Sequence, residues 1–255
     1  MNILVTNDDG IEALGIKALV EALKGKGNIY VVAPNTQKSA CGHGISINIP
    51  VMIKEIEFEG AVKAWSISGT PADCVKLAIS QLIDEKVDMV FSGINQGGNL
   101  GTDILYSGTV SGAVEGLLFG VPSVAISLGD YFATDYSNCK KIVVKVCDYM
   151  MKQDLEPQTL LNVNIPNIQE EEMKGIKITP LGVREYTESF RKYETPRGGS
   201  YYWYSGEVKK SEDLELDTDV VAVDKGYVSV TPVHYDLTNY KIIDNVRKWD
   251  GWNNF

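Results

Sequence analysis

Histidine is almost missing from this chain: His43 and His234 are the only two in 255 residues. Two lone imidazoles are too few for a histidine-rich zinc site and are ordinarily structural or surface groups, although His43 stands in a loop worth watching. Cysteine is also scarce. Cys41, Cys74, Cys139 and Cys147 form no C-x-x-C pair, and a chain of this length needs no disulfide staples, so free thiols are expected. No apolar stretch approaches the roughly 20 residues that a membrane span requires. Met1 leads directly into Asn2-Ile3-Leu4-Val5-Thr6, with no basic segment ahead of an apolar one. A soluble, cytoplasmic protein with no membrane partner is therefore expected. Positive charge is in deficit too, with 24 Lys and Arg against 34 Asp and Glu and a net charge of −10. That balance excludes a broad basic face for nucleic acid polymers, which need clustered Lys and Arg. A small anion is still admissible where a cation or oriented N–H groups supply local positive potential.

What the chain does have is a repeated order of short apolar runs and helix-period segments, on a composition of 44% hydrophobic and 23% charged residues. Ile3–Val5, Ile29–Ala33, Val62–Ile67, Val87–Phe91, Val121–Ser127 and Leu160–Ile165 have strand length and β-rich content. Helices are expected over Ile11–Leu23, Cys74–Leu82 with Pro71 near its first turn, Thr109–Leu118 and Asn138–Lys152. The alternating Ile45-Ser46-Ile47-Asn48-Ile49 predicts an edge or hairpin strand, antiparallel to its neighbours. This order predicts an α/β fold, a mostly parallel sheet covered by helices on both faces, with ligands outside the carboxyl ends of its strands. From about Gly175 the texture changes: Ile176–Thr179, Tyr201–Tyr204 and Tyr227–Thr231 are strand-like, and no helix is expected until a short one over Thr238–Trp249. We therefore expect a catalytic core over residues 1–175 and a β-rich extension with a C-terminal arm over 176–255. The aromatic group Tyr201, Tyr202, Trp203, Tyr204, Trp249 and Trp252 is more than is ordinarily left to solvent, and suits a contact between subunits.

Chemistry-bearing residues cluster where strands end. Asn7-Asp8-Asp9-Gly10 follows the first strand, and two adjacent carboxylates at a sheet edge repel unless one pKa rises or a hard divalent cation binds them through oxygen. An Asp-Gly turn with solvated carboxylates and a helix N-cap at Asp8 or Asp9 uses the same residues. Gly93-Ile94-Asn95-Gln96-Gly97-Gly98-Asn99-Leu100-Gly101 follows a later strand. It reads either as a phosphate cradle or as a flexible loop, lacking the Lys-Ser/Thr ending of a P-loop. Tyr106-Ser107-Gly108-Thr109-Val110-Ser111-Gly112 opens a helix and offers an anion site or plain N-capping. Asp73, in Ser68-Gly69-Thr70-Pro71-Ala72-Asp73, is expected as a first-turn partner of the helix dipole rather than a ligand. Ser39 has no Gly-x-Ser-x-Gly elbow around it, so it is a ligand or loop hydroxyl rather than a nucleophile.

Taken in order, Val5-Thr6-Asn7-Asp8-Asp9-Gly10, Ala33-Pro34 with Ser39, Ser68-Gly69-Thr70-Pro71-Ala72-Asp73, Ser92-Gly93-Ile94-Asn95 with Gly98-Asn99, Tyr106-Ser107-Gly108-Thr109 and Pro122-Ser123-Val124-Ala125 resemble the stationary-phase survival protein SurE family. The resemblance spans about Met1–Ser127, with a thinner C-terminal match through Thr231-Pro232, Asp236 and Thr238. It implies a Rossmann-like core and a metal-dependent 5′-nucleotidase acting on nucleoside monophosphates and, in some members, short polyphosphate. By motif, Asp8, Asp9, Ser39 and Asn95 would hold one divalent cation, with Asp8 and Asp9 also catalytic, and Asn99, Ser107, Gly108 and Thr109 would line the phosphate site. Oxygen-only ligands favour Mg²⁺, Mn²⁺ or Ca²⁺ over zinc. The expected mechanism is attack by a metal-activated water, with Asp8 orienting or deprotonating it. A phosphoaspartyl phosphatase is the enzymatic alternative, against which stands the absence of a strand-Asp-x-Asp order. A non-catalytic nucleotide-sensing module is the other, but an anion receptor gains nothing from two carboxylates without a cation. A homodimer or homotetramer is expected, with the C-terminal arm crossing to a neighbouring subunit.

Overall fold

The computed structural model describes residues 1–156, 158–187, 190–209 and 217–249; Trp252 of the expected aromatic group lies outside them. In chain order the elements are β1 (Asn2–Thr6), α1 (Leu14–Leu23), β2 (Asn28–Pro34), β3 (Ile53–Ile56), β4 (Lys63–Ile67), α2 (Pro71–Leu77), β5 (Met89–Gln96), α3 (Gly108–Leu118), β6 (Ser123–Leu128), α4 (Ser137–Lys152), β7 (Leu160–Ile165), β8 (Ile176–Ile178), β9 (Phe190–Glu194), β10 (Ser200–Tyr204), α5 (Asp219–Asp224), β11 (Val228–Pro232) and α6 (Ile243–Arg247).

The central strands are apolar without interruption because both of their faces are covered. In β1, Ile3, Leu4 and Val5 have no exposed surface: Ile3 and Val5 pack on the side of α1 and α4, and Leu4 packs on the opposite side with Val75 of α2. Helix α1 buries Ile16, Leu19 and Leu23, one stripe at helical spacing, while Lys17 and Glu21 between them stay exposed. Burying one such aliphatic side chain contributes roughly 1.5–3 kcal/mol. The stripe is what fixes the helix on the sheet.

Nine strands form one sheet in the order β3-β4-β2-β1-β5-β6-β7-β11-β8. The run from β4 through β7 is parallel, β3 is antiparallel to β4, and β11 is antiparallel to β7. From β1 the chain winds outward through β2, then returns to lay β5 on the other side of β1. Strand order thus reverses at β1, and the crevice beyond the carboxyl ends of β1 and β5 is where a doubly wound sheet accepts ligands.

Four expectations are corrected. Ile45–Ile49 is not a strand: Ser46 gives its N–H and hydroxyl to the Asp73 carboxylate, so a side chain takes the place of a ladder. The antiparallel edge strand is β3, a few residues later. The second helix begins earlier than expected, at Pro71, where Thr70 and Asp73 form a reciprocal capping box, and after Leu77 it widens into a π-helical turn over Ala78–Leu82. The C-terminal helix is shorter than expected, because Asp236 draws in the N–H of Thr238 and the Tyr240 hydroxyl and holds that stretch as a turn. Helix α5, capped by Thr218, lies where no helix was expected.

The sheet also crosses residue 175. Strands β11 and β8 come from the C-terminal section yet extend the same sheet, β11 beside β7 and β8 beyond it. Strands β9 and β10 form a separate two-stranded antiparallel sheet, and every residue of both is exposed. Their rings pack on one another, Tyr193 against Tyr201 and Phe190 against Tyr204.

Candidate active site

Asp8 and Asp9 leave the carboxyl end of β1 into a turn that Asn7 closes by donating its side-chain amide to the Gly10 carbonyl at 2.9 Å. Neither aspartate caps a helix, for α1 starts only at Leu14 and Ala13 precedes it without a side-chain cap. The helix-cap part of the turn reading therefore fails for both. Asp8 is only 4% exposed, its carboxylate accepting the Thr109 hydroxyl at 2.5 Å. Asp9 accepts the side-chain amide of Gln37 at 3.3 Å on one oxygen and the backbone N–H of Gln96 at 3.2 Å on the other.

Gln37 is the residue that sequence reasoning missed here. The amide nitrogen that reaches Asp9 also donates to Ser39 Oγ at 2.9 Å, which ties the Ser39 loop to the aspartates. Asn95 donates its amide to the Gly97 carbonyl at 2.6 Å, leaving its own Oδ1 as an acceptor. Gly93–Ile94 is a cis peptide, and the β5–β6 register shifts between Ser92 and Asn95. A Cβ on Gly15 would fall 1.9 Å from the Ile94 carbonyl oxygen, so only glycine lets α1 come this close to the β5 end. Asp8, Asp9, Ser39 and Asn95 are thus gathered from three segments, linked through Gln37 and Gln96.

The electrostatics are those of an unneutralised pair. Burial pushes Asp8 from its ordinary 3.8 up to about 6, the neighbouring Asp9 charge adds to the rise, and the Thr109 hydroxyl opposes it. Asp9 is also raised by burial, against the pull of the Gln96 N–H and Gln37. No salt bridge to either carboxylate occurs among the described residues. Two desolvated carboxylates with neutral oxygen donors beside them fit a hard divalent cation. Among the described residues no group of three or more His, Cys, Asp and Glu could hold a metal, which is a poor match for a zinc cage.

The expected phosphate-site residues divide. Gly108 and Thr109 open α3 against the aspartates: a Cβ on Gly108 would lie 2.7 Å from Asp8 Cβ and 3.0 Å from Cys41 Sγ. First-turn N–H groups of a helix have no intrahelical acceptor and bear partial positive charge. Ser107 is the N-cap, its hydroxyl accepting from the Val110 N–H at 3.0 Å. Asn99 holds the glycine loop in place instead of pointing its donors at Asp8 or Asp9. Its backbone N–H donates to Asn164 Oδ1, its amide donates to Ser127 Oγ, and its carbonyl accepts from Asn162 and Asn164. Two wholly buried asparagines alternating through Leu161-Asn162-Val163-Asn164-Ile165 were the legible signal of that network.

The loop after β2 is fastened along α3 and α2. Lys38 N–H donates to the Asp8 carbonyl at 2.7 Å, Gly42 N–H to the Tyr106 carbonyl at 3.0 Å, and Thr70 Oγ1 to the Gly44 carbonyl at 2.7 Å. His43 Nε2 sits 2.8 Å from Glu115, whose other oxygen accepts Lys76 at 2.7 Å. Burial raises the Glu115 pKa, but the hydrogen bonds from His43 and Lys76 outweigh it and hold the group below its ordinary value. Asp73 lies in the first turn of α2, where it bonds Thr70 and Ser46. His234, at the exposed end of the sheet, lies 3.4 Å from Gln158. Asp219, fully buried in α5, accepts the N–H of Gly101 and that of Gly182, both at 2.7 Å, and so joins the glycine loop to the C-terminal section.

This arrangement has known counterparts. A family profile described as Survival protein SurE matches residues 3–188. The 5′-nucleotidase SurE of Moorella thermoacetica is 50% identical over 241 residues, 94% of this chain and 92% of the relative. The 5′-nucleotidase SurE of Heliobacterium modesticaldum is 47% identical over 252 residues, 98% of this chain and 92% of the relative. The crystal structure of the SurE protein from Aquifex aeolicus superposes with a TM-score of 0.83 at 42% identity, covering 97% of this chain and 98% of that one.

Proposed function

The chain belongs to the SurE survival-protein family, and from that premise we propose that it is a divalent-metal-dependent 5′-nucleotidase. It hydrolyses nucleoside monophosphates to nucleoside and phosphate at the Asp8–Asp9 centre. The observation that carries this reading is the back-to-back placement of a cation-seeking group and an anion-seeking one. The buried Asp8 carboxylate stands directly against the amino end of α3, with the desolvated Asp9 next to it in the chain. A phosphate bridging the two would meet a bound cation on one side and first-turn N–H groups on the other.

Asp8, Asp9, Ser39 and Asn95 would hold the cation, which would supply charge neutralisation and a water of lowered pKa. Their oxygen-donor character supports Mg²⁺, Mn²⁺ or Ca²⁺. Asp8, buried beside Thr109, orients the attacking water and accepts its proton. Gly108 and Thr109 line the phosphate site at the start of α3, and Ser107 and Asn99 fix the helix start and the loop that frame it. A cytoplasmic location is part of the same proposal, supported by four free thiols. Among the described residues, no helix is long and apolar enough to cross a membrane. The exposed rings of β9 and β10 support a homodimer or homotetramer.

Phosphate release from a panel of nucleoside monophosphates, an aryl phosphate and short polyphosphate, before and after chelation, tests the reading. Metal-restored hydrolysis of the nucleotides is expected. Activity indifferent to chelation, or a phosphorylated aspartate in the trapped enzyme, overturns it.

A further inference from the structure

Tyr131, in the loop after β6, is 62% exposed, although its ring is packed against the candidate site. A Cβ on Gly97 would fall 2.3 Å from Tyr131 Cε1 and 2.7 Å from Cδ1, so the ring lies flat on the space that glycine leaves open. The Gly97 carbonyl is the acceptor of the Asn95 side-chain amide, at 2.6 Å. One ring is therefore a single hydrogen bond away from a residue placed at the cation. Gly97 follows Asn95 by two residues, at most about 7 Å of chain, which is the scale of the ribose that separates a nucleotide's phosphate from its base. On the next residue, the Gly98 carbonyl accepts Arg184 Nη1 at 3.3 Å, with the guanidinium held by Asp103 at 2.9 Å. Tyr186 donates its hydroxyl to the same Asp103 oxygen at 2.6 Å. Gly97 and Gly98 are thus flanked by an aromatic ring and a guanidinium, the two side-chain types that stack on nucleobases.

We propose that Tyr131 is the platform on which the nucleobase of the substrate stacks, and that it determines specificity for nucleoside monophosphates over phosphates without a base. The proposal rests on the hydrolase reading of the site. Tyr131 touches the base and takes no part in the bond-breaking step, so its loss acts on binding and leaves the chemistry in place. Because every base has a π face, purines and pyrimidines are both accepted.

The test compares AMP with ribose 5-phosphate, which keeps the phosphate and sugar and lacks the base, on the metal-loaded wild type, Tyr131→Ala and Tyr131→Phe. Tyr131→Ala is expected to raise KM for AMP by about tenfold to a hundredfold with kcat nearly unchanged. KM for ribose 5-phosphate should not move, and Tyr131→Phe should match the wild type. Equal losses on both substrates, no loss on AMP, or a Phe variant as poor as the Ala variant overturns the proposal. A wild type that hydrolyses both substrates with the same KM also overturns it, while leaving the hydrolase reading standing. A wild type that releases phosphate from neither defeats both.

Discussion

Replacing Asp8 with asparagine should stabilise the metal-free protein at neutral pH while removing its activity. The Asp8 pKa rises from 3.8 to about 6 on folding, which at 1.36 kcal/mol for each tenfold change in acidity corresponds to about 3 kcal/mol. The sign follows from where the proton is held. The folded state binds it more tightly than the unfolded chain, so the penalty is full above pH 6, where folding must bury an ionised carboxylate. It shrinks as pH falls toward 4 and vanishes below, where both states are protonated. The substituted asparagine is neutral throughout and still offers an oxygen to the Thr109 hydroxyl. Urea titrations in chelator should therefore place Asp8→Asn up to about 3 kcal/mol above the wild type at pH 8, and only about 1 kcal/mol above it at pH 4.5. Subtracting one protein from the other at each pH cancels the titration of the remaining carboxylates. Added Mn²⁺ should reverse the order once it reaches about a thousand times its Kd, where it stabilises the protein that binds it by about 4.1 kcal/mol. A difference between the two proteins that is the same at both pH values refutes the reasoning.

Thr109→Val removes the hydroxyl that restrains the Asp8 pKa, so in chelator the Asp8 titration followed by NMR should move upward by about half a pH unit to one unit, roughly one hydrogen bond's worth. Gly15→Ala should destabilise by about 1–3 kcal/mol in chemical denaturation, because the new Cβ meets the Ile94 carbonyl at 1.9 Å; an ordinary helix interior would gain about 1 kcal/mol from the same change. His43→Ala should cost about 1 kcal/mol or slightly more in the same assay, since it takes one partner from the buried Glu115 carboxylate. Light scattering after size exclusion should find an even-numbered oligomer at micromolar concentration, and replacing Trp203 and Tyr202 on the exposed hairpin by serine should shift it toward monomer.

The parallel core was legible because its strands are apolar on both faces: Ile3-Leu4-Val5 and Val124-Ala125-Ile126 leave little else for a short run to be. The aspartate pair was legible as chemistry by its place after such a strand. Local side-chain chemistry was harder to foresee. Ser46 and Asp73 turn an alternating strand pattern into a tied loop, and nothing in Ile45–Ile49 itself announces a partner 27 residues away. Gln37 and Asp219 escaped notice for the same reason, since each acts through hydrogen bonds to distant segments. Asn99 was assigned by family motif, and the structure gives it a buried anchoring network supplied by β6 and β7.

The reach of Asp219 sets an order on how the molecule can be made. All residues proposed for the cation and the phosphate precede residue 110, so during synthesis they leave the ribosome early and their strands can begin to fold first. The glycine loop, however, has its Gly101 N–H bound by a carboxylate that is synthesised more than a hundred residues later. Strand β11 must then enter between β7 and β8. A nascent or truncated chain that stops before α5 can carry every reactive group and still leave that loop unfastened. Fastening of the glycine loop is thereby timed to the arrival of the C-terminal section.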